Sequence, residues 1–276
     1  MKVFIPSYGR AANIKTHFLW KGYDNKELFI VLHNQEEKIW YAKNKSLENE
    51  NILVSYADVG IAKQRNWIIE NKVSLDEWFV FMDDNINQIL TVHKNFYDKT
   101  SIPTWIFNRK FWETVYDLQT DWPTFLQNCE KMASEADSRG AKFVGVATND
   151  NPFYKKTKWR DVGFVRTKIS LVKKTHLRFD ENLIAKDDYG FTAENLKVFG
   201  RVLINNFIYP LAKSYEEGGI GLKKYRQNAS ALDVLRLIKN YPGLFVVSNR
   251  KNSRSGTELK IHFTTLSQIE NWKKCF

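Results

Sequence analysis

Along its first hundred residues the chain alternates short apolar runs with stretches of helical spacing. Residues 2–5, 28–32 and 52–55 are apolar runs of strand length, set between polar segments. After Gly60, the positions of Ile61, Trp67, Ile68 and Ile69 give a helix one apolar side. Residues 78–82, Trp-Phe-Val-Phe-Met, are the most apolar run, and it stops abruptly at Asp83-Asp84-Asn85. Strands alternating with helices predict an α/β layer structure around a mainly parallel sheet.

The pattern is coarser further on. It predicts amphipathic helices over 103–118 and 122–138, the second with Asp121 as its cap and Pro123 in its first turn. Residues 143–147 read as a strand and 149–160 as a mobile polar loop. Strands are expected at 169–172, 177–179 and 201–207, with a helix over 192–199 that Gly200 stops. A last helix, 230–241, opens on a Ser230/Asp233 pair and closes near Pro242. No repeat, low-complexity tract or linker interrupts the chain, so one domain is expected over residues 1–276.

Composition narrows the class. Of the 276 residues 43% are hydrophobic and 26% charged, which is ordinary for a globular protein, and a 14% aromatic content argues against disorder. No apolar run approaches the roughly 18 residues of a membrane span. The first residues hold only a short apolar run before Pro6, so no export signal is expected. Cys129 and Cys275 make neither a disulfide framework nor a zinc site, and a reduced, intracellular protein is expected. The formal charge of +11 allows a polyanionic partner. A coding bias toward Lys and Asn produces the same excess, and no known nucleic-acid module stands out.

Several clusters can carry chemistry. Asp83, Asp84 and Asn85 end an apolar strand at the sheet edge where α/β proteins bind ligands, and they offer hard oxygen donors suited to Mg²⁺ or Mn²⁺. A plain strand-to-turn exit uses the same residues. In Pro6-Ser7-Tyr8-Gly9-Arg10, glycine admits a close ligand, Tyr8 can stack on a base and Arg10 can pair with phosphate. Lys63, Arg65 and Asn66 fall at a helix start, which favours anions. Asp187 and Asp188 are adjacent like charges, and a shared pocket raises one pKa and prepares a general base; a helix cap is the plainer use. A glycine-rich loop at 215–221 carries Glu216 and Glu217. Lys155, Lys156, Lys158, Trp159 and Arg160 interleave cations with a ring, and Lys223 and Lys224 add charge.

The order of these features resembles the GT-A-type nucleotide-diphospho-sugar glycosyltransferases. The closer likeness, over roughly residues 1–225, is to phage DNA-base glycosyltransferases of the TET/JBP-associated, base J glucosyltransferase-like group. The resemblance implies a GT-A-like, Rossmann-like mixed sheet flanked by helices. Residues 1–95 become the nucleotide-sugar half and 96–276 the acceptor half. It implies a UDP-sugar donor held by Pro6, Ser7, Tyr8, Gly9, Arg10, Lys63, Arg65, Asn66, Asp83 and Asp84. A Mn²⁺ or Mg²⁺ ion falls to Asp83, Asp84, Asn85 and Glu217, with Asn85 standing where the family has an acid. Asp187 or Asp188 becomes the base, and DNA containing a hydroxymethylated pyrimidine the acceptor. The lysines, Trp159 and Arg160 just named become DNA contacts, and the host bacterial cytoplasm the setting. Two other readings stay open: transfer to a bacterial glycan or lipid-linked saccharide, and a DNA-binding protein without catalysis.

Overall fold

The computed structural model describes residues 1–11, 14–16, 19, 26–44, 51–92, 116–118, 121–147, 157–212, 223–248 and 258–275. In chain order the elements begin β1 (Val3–Pro6), β2 (Leu28–Leu32), α1 (Gln35–Asn44), β3 (Ile52–Val54), α2 (Ile61–Asn71), β4 (Trp78–Met82) and β5 (Ile86–Val92). They continue with β6 (Tyr116–Leu118), α3 (Trp122–Arg139), β7 (Phe143–Val146), β8 (Trp159–Arg160), β9 (Ile169–Lys173) and α4 (Asp187–Phe199). The last are β10 (Leu203–Asn205), β11 (Ile208–Ala212), α5 (Lys223–Asn240), β12 (Phe245–Val247), β13 (Leu259–Ile261) and α6 (Leu266–Lys273).

Eight strands form the central sheet in the order β3-β2-β1-β4-β9-β7-β10-β8. The first four are mutually parallel. β9 lies antiparallel to both β4 and β7, β10 runs parallel to β7, and β8 closes the edge antiparallel to β10. β11, β5 and β6 make a small antiparallel sheet, and β12 pairs with β13.

The sheet is covered on both faces, which explains why residues 78–82 carry no polar position. Phe79 and Phe81 of β4 point into one core with Ile68 and Ile69 of α2 and Phe191 and Leu196 of α4. Val80 and Met82 point into the other, against Phe125, Cys129 and Met132 of α3. Each fully buried side chain of this size contributes about 1.5–3 kcal/mol. Among the described residues both cysteines are free, and no helix is long and apolar enough to cross a membrane.

The chain steps outward from β1 to β2 to β3, then returns to place β4 on the other side of β1. Connections on the two sides of this switch diverge and leave a crevice beyond the carboxyl ends of β1 and β4. The abrupt Asp83-Asp84-Asn85 stop stands there.

The expected α/β class and mainly parallel sheet are what the structure has. α3 has the Asp121 cap, whose side chain accepts from Thr124 N at 3.2 Å, and Gly200 ends α4 in a left-handed conformation at φ 76°. Several local readings are corrected. Residues 177–179 form no strand, because Asn66 takes up the backbone N–H and C=O of Phe179 that a ladder would use. Tyr116–Leu118, expected at a helix end, pairs with β5, while residues 103–115 lie outside the described set. Trp159–Arg160, expected in a loop, pairs with β10. The strand expected at 201–207 is confined to β10, because the Asn205 side chain accepts from Phe207 N and turns the chain toward β11, which begins at Ile208. α4 starts at Asp187 instead of 192, and α5 at Lys223 instead of 230. Asp233 therefore opens no helix of its own. It accepts from Ala185 N and Lys186 N at 2.7 and 3.1 Å, and so caps the entry to α4 from α5.

Candidate active site

A cavity of about 560 Å³ occupies the crevice, within the range of pockets that hold cofactor-sized ligands. Pro6, Ser7, Tyr8 and Arg10 line it from the turn after β1, and Lys63 and Arg65 from the first turns of α2. Asp83, Asp84 and Asn85 line it beyond β4, and Asp187 from the start of α4. These residues were expected to share a site. Gly9 and Asn66 are not among the lining residues.

The turn after β1 is fixed by a buried hydrogen-bond chain. Ser7 Oγ donates to Asp84 Oδ2 at 2.5 Å and lies 2.7 Å from the Tyr41 hydroxyl, and Arg10 Nη1 donates to Asp84 Oδ1 at 2.8 Å. Gly9 sits at φ 63°, a left-handed conformation that glycine adopts without strain, and its N–H donates to Glu37 Oε1 at 2.8 Å. Gly9 thus shapes the turn that presents Tyr8. The Tyr8 ring, 39% exposed, lies perpendicular to the His33 ring at 5.1 Å between centroids and lines the cavity. Burial pushes the Asp84 carboxyl up to about 6, against the pull of Arg10 and Ser7, with the Asp83 charge adding to the rise. Burial also raises the Tyr41 phenol above its ordinary range.

Arg65 organises the opposite wall. It is 3% exposed, donates to Asp187 Oδ2, and stands 3.7 Å from Asp83 Oδ1. Its guanidinium lies 5.3 Å from the centroid of Phe179 and 5.7 Å from that of Phe81, so rings hold the plane that orients Asp187. Asn66, one residue on, points the other way: Nδ2 donates to Phe179 O at 3.0 Å and Glu181 Oε1 at 2.9 Å, and Oδ1 accepts from Phe179 N at 2.8 Å. It ties α2 to the segment leading into α4.

Asp187 and Asp188 open α4, but neither caps it, since the N-cap residue Lys186 makes no side-chain cap bond. Burial pushes both carboxyls up. For Asp187 the Arg65 charge opposes the rise; for Asp188 burial and then the Asp187 charge bring it to about 7. Only Asp187 lines the cavity, while Asp188 accepts from Tyr189 N at 3.0 Å. A proton acceptor must reach its donor before its pKa matters, and on that ground Asp187 is the better placed of the two.

The implied divalent ion finds a poor donor set. Both Asp84 oxygens are taken, by Ser7 and Arg10, and Asp83 and Asp187 face the same arginine. No group of three His, Cys, Asp or Glu side chains converges as a metal site among the described residues. Glu217 lies outside them. The described residues do not fit a divalent cation.

Sequence reasoning missed a further part of the wall: Arg166, Thr167 and Lys168, just before β9, and Leu183 to Lys186, just before α4. These come from the expected acceptor half yet line the same cavity. Finding them needs the knowledge that β9 pairs antiparallel with β4, which sets residue 168 beside residue 83. Asp83 N donates to Lys168 O at 2.9 Å.

The expected DNA contacts are placed less tightly. Lys158, Trp159 and Arg160 sit at the far edge of the sheet, four strands from β4, or about 19 Å at the usual strand spacing. The Lys158 ammonium lies 5.7 Å from the Trp159 ring. Lys155 and Lys156 lie outside the described residues, and of Lys223 and Lys224 only the helical backbone is described. Tyr225, one residue on, lines the cavity and brings the start of α5 to its mouth.

Fold and site together define an α/β protein with a charged, ligand-sized cavity at the topological switch point. The family description "TET-Associated Glycosyltransferase" matches residues 1–188, and the chain belongs to that family of glycosyltransferases. Among solved structures it is similar to S. aureus TarS 1-349 in complex with UDP, at 13% sequence identity and a TM-score of 0.40. That match covers 76% of this chain, which in turn spans 60% of the TarS chain. No curated protein matches.

Proposed function

We propose that this glycosyltransferase moves a sugar from a UDP-sugar to the hydroxyl of a 5-hydroxymethylpyrimidine in phage DNA. The observation that carries the reading is the cavity at the β1/β4 switch, lined together by a partly exposed tyrosine, cations and carboxylates. Among the described lining residues six are Lys or Arg and four are Asp or Glu, an excess that suits a diphosphate. Tyr8 offers its face to the uracil ring. The net charge of +11 and the family's TET-associated name support a DNA acceptor.

The chemistry follows from these positions. The acceptor hydroxyl is a poor nucleophile until a carboxylate takes its proton in the transition state. Asp187 is the proposed base, held by Arg65 and kept basic by burial and by the Asp83 charge. As the acceptor oxygen bonds to the anomeric carbon, the bond from that carbon to the diphosphate oxygen breaks. Its electron pair leaves with UDP, and the proton moves to Asp187. A base drawn out of a duplex adds an unstacking cost of a few kcal/mol.

The test is a transfer assay with a panel of UDP-sugars, with and without Mn²⁺, on DNA carrying unmodified, hydroxymethyluracil or hydroxymethylcytosine bases. Digested nucleosides are read by mass spectrometry. A sugar-sized mass gain confined to a hydroxymethylated base, and reduced about 10²–10⁴-fold in Asp187→Asn, is the expected result. UDP-sugar hydrolysis with no gain on any DNA would move the acceptor to a glycan. DNA binding without turnover of any donor would overturn the transferase reading.

A further inference from the structure

Among the cationic side chains that line the cavity, three are already spoken for. Arg10 is paired with Asp84, Lys63 with Asp58 and Arg65 with Asp187. The other three are Arg166, Lys168 and Lys186. None of them has a carboxylate within salt-bridge distance or a hydrogen-bond acceptor for its charged group among the described residues. Lys186 is 4% exposed, and its ammonium rests 4.9 Å from the centroid of the Tyr189 ring. Lys168 is half-buried and Arg166 exposed. Their placement is fixed by backbone: the Asp83 N–H bonds to Lys168 O, and Asp233 grips the amides of Ala185 and Lys186.

Three cations in one cavity with no acid in direct contact are costly to hold. Burial lowers the Lys168 and Lys186 ammonium pKa values; the Asp188, Glu258 and Asp233 charges oppose the fall at Lys186 and the Asp83 charge at Lys168, while the Arg166 charge adds to both. Such a group gains from an incoming anion what its own protein withholds. On the acidic side of the cavity, by contrast, both Asp84 oxygens are held by Ser7 and Arg10, and Asp83 and Asp187 face Arg65, so the role that the family's metal would fill has a different set of candidates.

We propose that Arg166, Lys168 and Lys186 seat the donor's diphosphate and neutralise it as it leaves, without a divalent cation. This rests on the nucleotide-sugar reading above. When the bond between the anomeric carbon and the β-phosphate oxygen breaks, its electron pair stays on that oxygen and the diphosphate gains one negative charge. The cations receive this charge as preorganised donors in a partly desolvated site, where one such donor is worth about 10²–10³ in rate. Lys168 and Lys186 form the buried part of the seat, and Arg166 closes it from solvent.

The experiment is calorimetric titration with UDP, UMP and uridine in EDTA and again in Mn²⁺, on the wild type and on Lys186→Met, Lys168→Met and Arg166→Gln. Thermal melts check folding, the exposed Arg166 serves as the variant least able to perturb it, and Lys186→Arg tests rescue. The wild type is expected to bind UDP equally well in EDTA and Mn²⁺. Each neutral variant is expected to lose tenfold or more in UDP affinity with uridine affinity unchanged, and Lys186→Arg to recover most of it. UDP binding that needs Mn²⁺ while uridine binds without it would overturn this inference and leave the donor reading standing. Variants that bind UDP normally but lose affinity for DNA would also overturn it, by assigning the cations to the acceptor backbone. A wild type that binds none of the three probes in either condition would overturn both.

Discussion

Asn66 was expected to touch the nucleotide, and the structure turns it into a sharp test of how the site is built. Its side chain satisfies both backbone groups of Phe179, a residue 113 positions later and almost fully buried, and also reaches Glu181. Asn66→Ala leaves the Phe179 N–H and C=O without partners, at about 1–3 kcal/mol each. Alanine returns roughly 0.5 kcal/mol through helix propensity, so the net loss is about 1.5–5.5 kcal/mol. With about 2.1 cal/mol/K of unfolding entropy per residue over 276 residues, that is a fall of about 3–9 °C in Tm. The assay is urea and thermal unfolding followed by tryptophan fluorescence, beside a UDP titration of the folded variant. Asn66→Asp adds a control: it keeps the acceptor for Phe179 N but sets a carboxylate against Phe179 O and Glu181. Its loss at neutral pH is expected to match or exceed that of Asn66→Ala and to ease at acid pH. Asn66→Ala within about 0.5 kcal/mol of wild type, with a tenfold fall in UDP affinity, would refute the structural role and return Asn66 to the ligand.

A Cβ on Gly145 of β7 would stand 2.6 Å from Val165 Cγ1 and 3.3 Å from its Cβ; Val165 is stiff, so Gly145→Ala is expected to cost about 1–3 kcal/mol in urea unfolding. The folded Asp188 carboxyl holds its proton up to about 7, whereas an unfolded one releases it near about 4. Its contribution to stability is therefore full below about pH 4 and lost as pH rises through about 7, and Asp188→Asn should flatten the decline of the urea midpoint across that window. The charge that raises the Asp187 carboxyl besides burial is that of Asp83, so in Asp83→Asn the acid limb of the pH–rate profile for transfer should move to lower pH.

How much the sequence discloses depends on how local the cause is. β4 was legible because both its faces are buried, which leaves five apolar residues in a row and an unmistakable end at Asp83. The Asp121 cap and the Gly200 stop were legible because each acts within one helical turn. Residues 177–179 look like a strand because Leu177 and Phe179 alternate into the core, but the backbone partner comes from Asn66 on a distant helix. Asp233 misleads for the same reason, capping a helix that lies 47 residues back along the chain. At the site, the turn after β1, the start of α2 and the acids after β4 were readable as parts, since residue type and strand end suffice. The pairing of Asp84 with Arg10 and Ser7, and the arrival of Lys168 and Lys186, depend on which strands neighbour which. No spacing encodes that.

The claim on which the rest depends is that the donor nucleotide occupies the β1/β4 cavity. Hydrogen exchange read by mass spectrometry, with and without saturating UDP, tests it directly. The account predicts slowed exchange in peptides covering residues 7–10, 60–65, 83–85, 166–168 and 185–187, and no change around Arg178, Lys197 and Tyr241, which line a separate hollow. Protection at that second hollow, with the β1/β4 peptides unchanged, would contradict it.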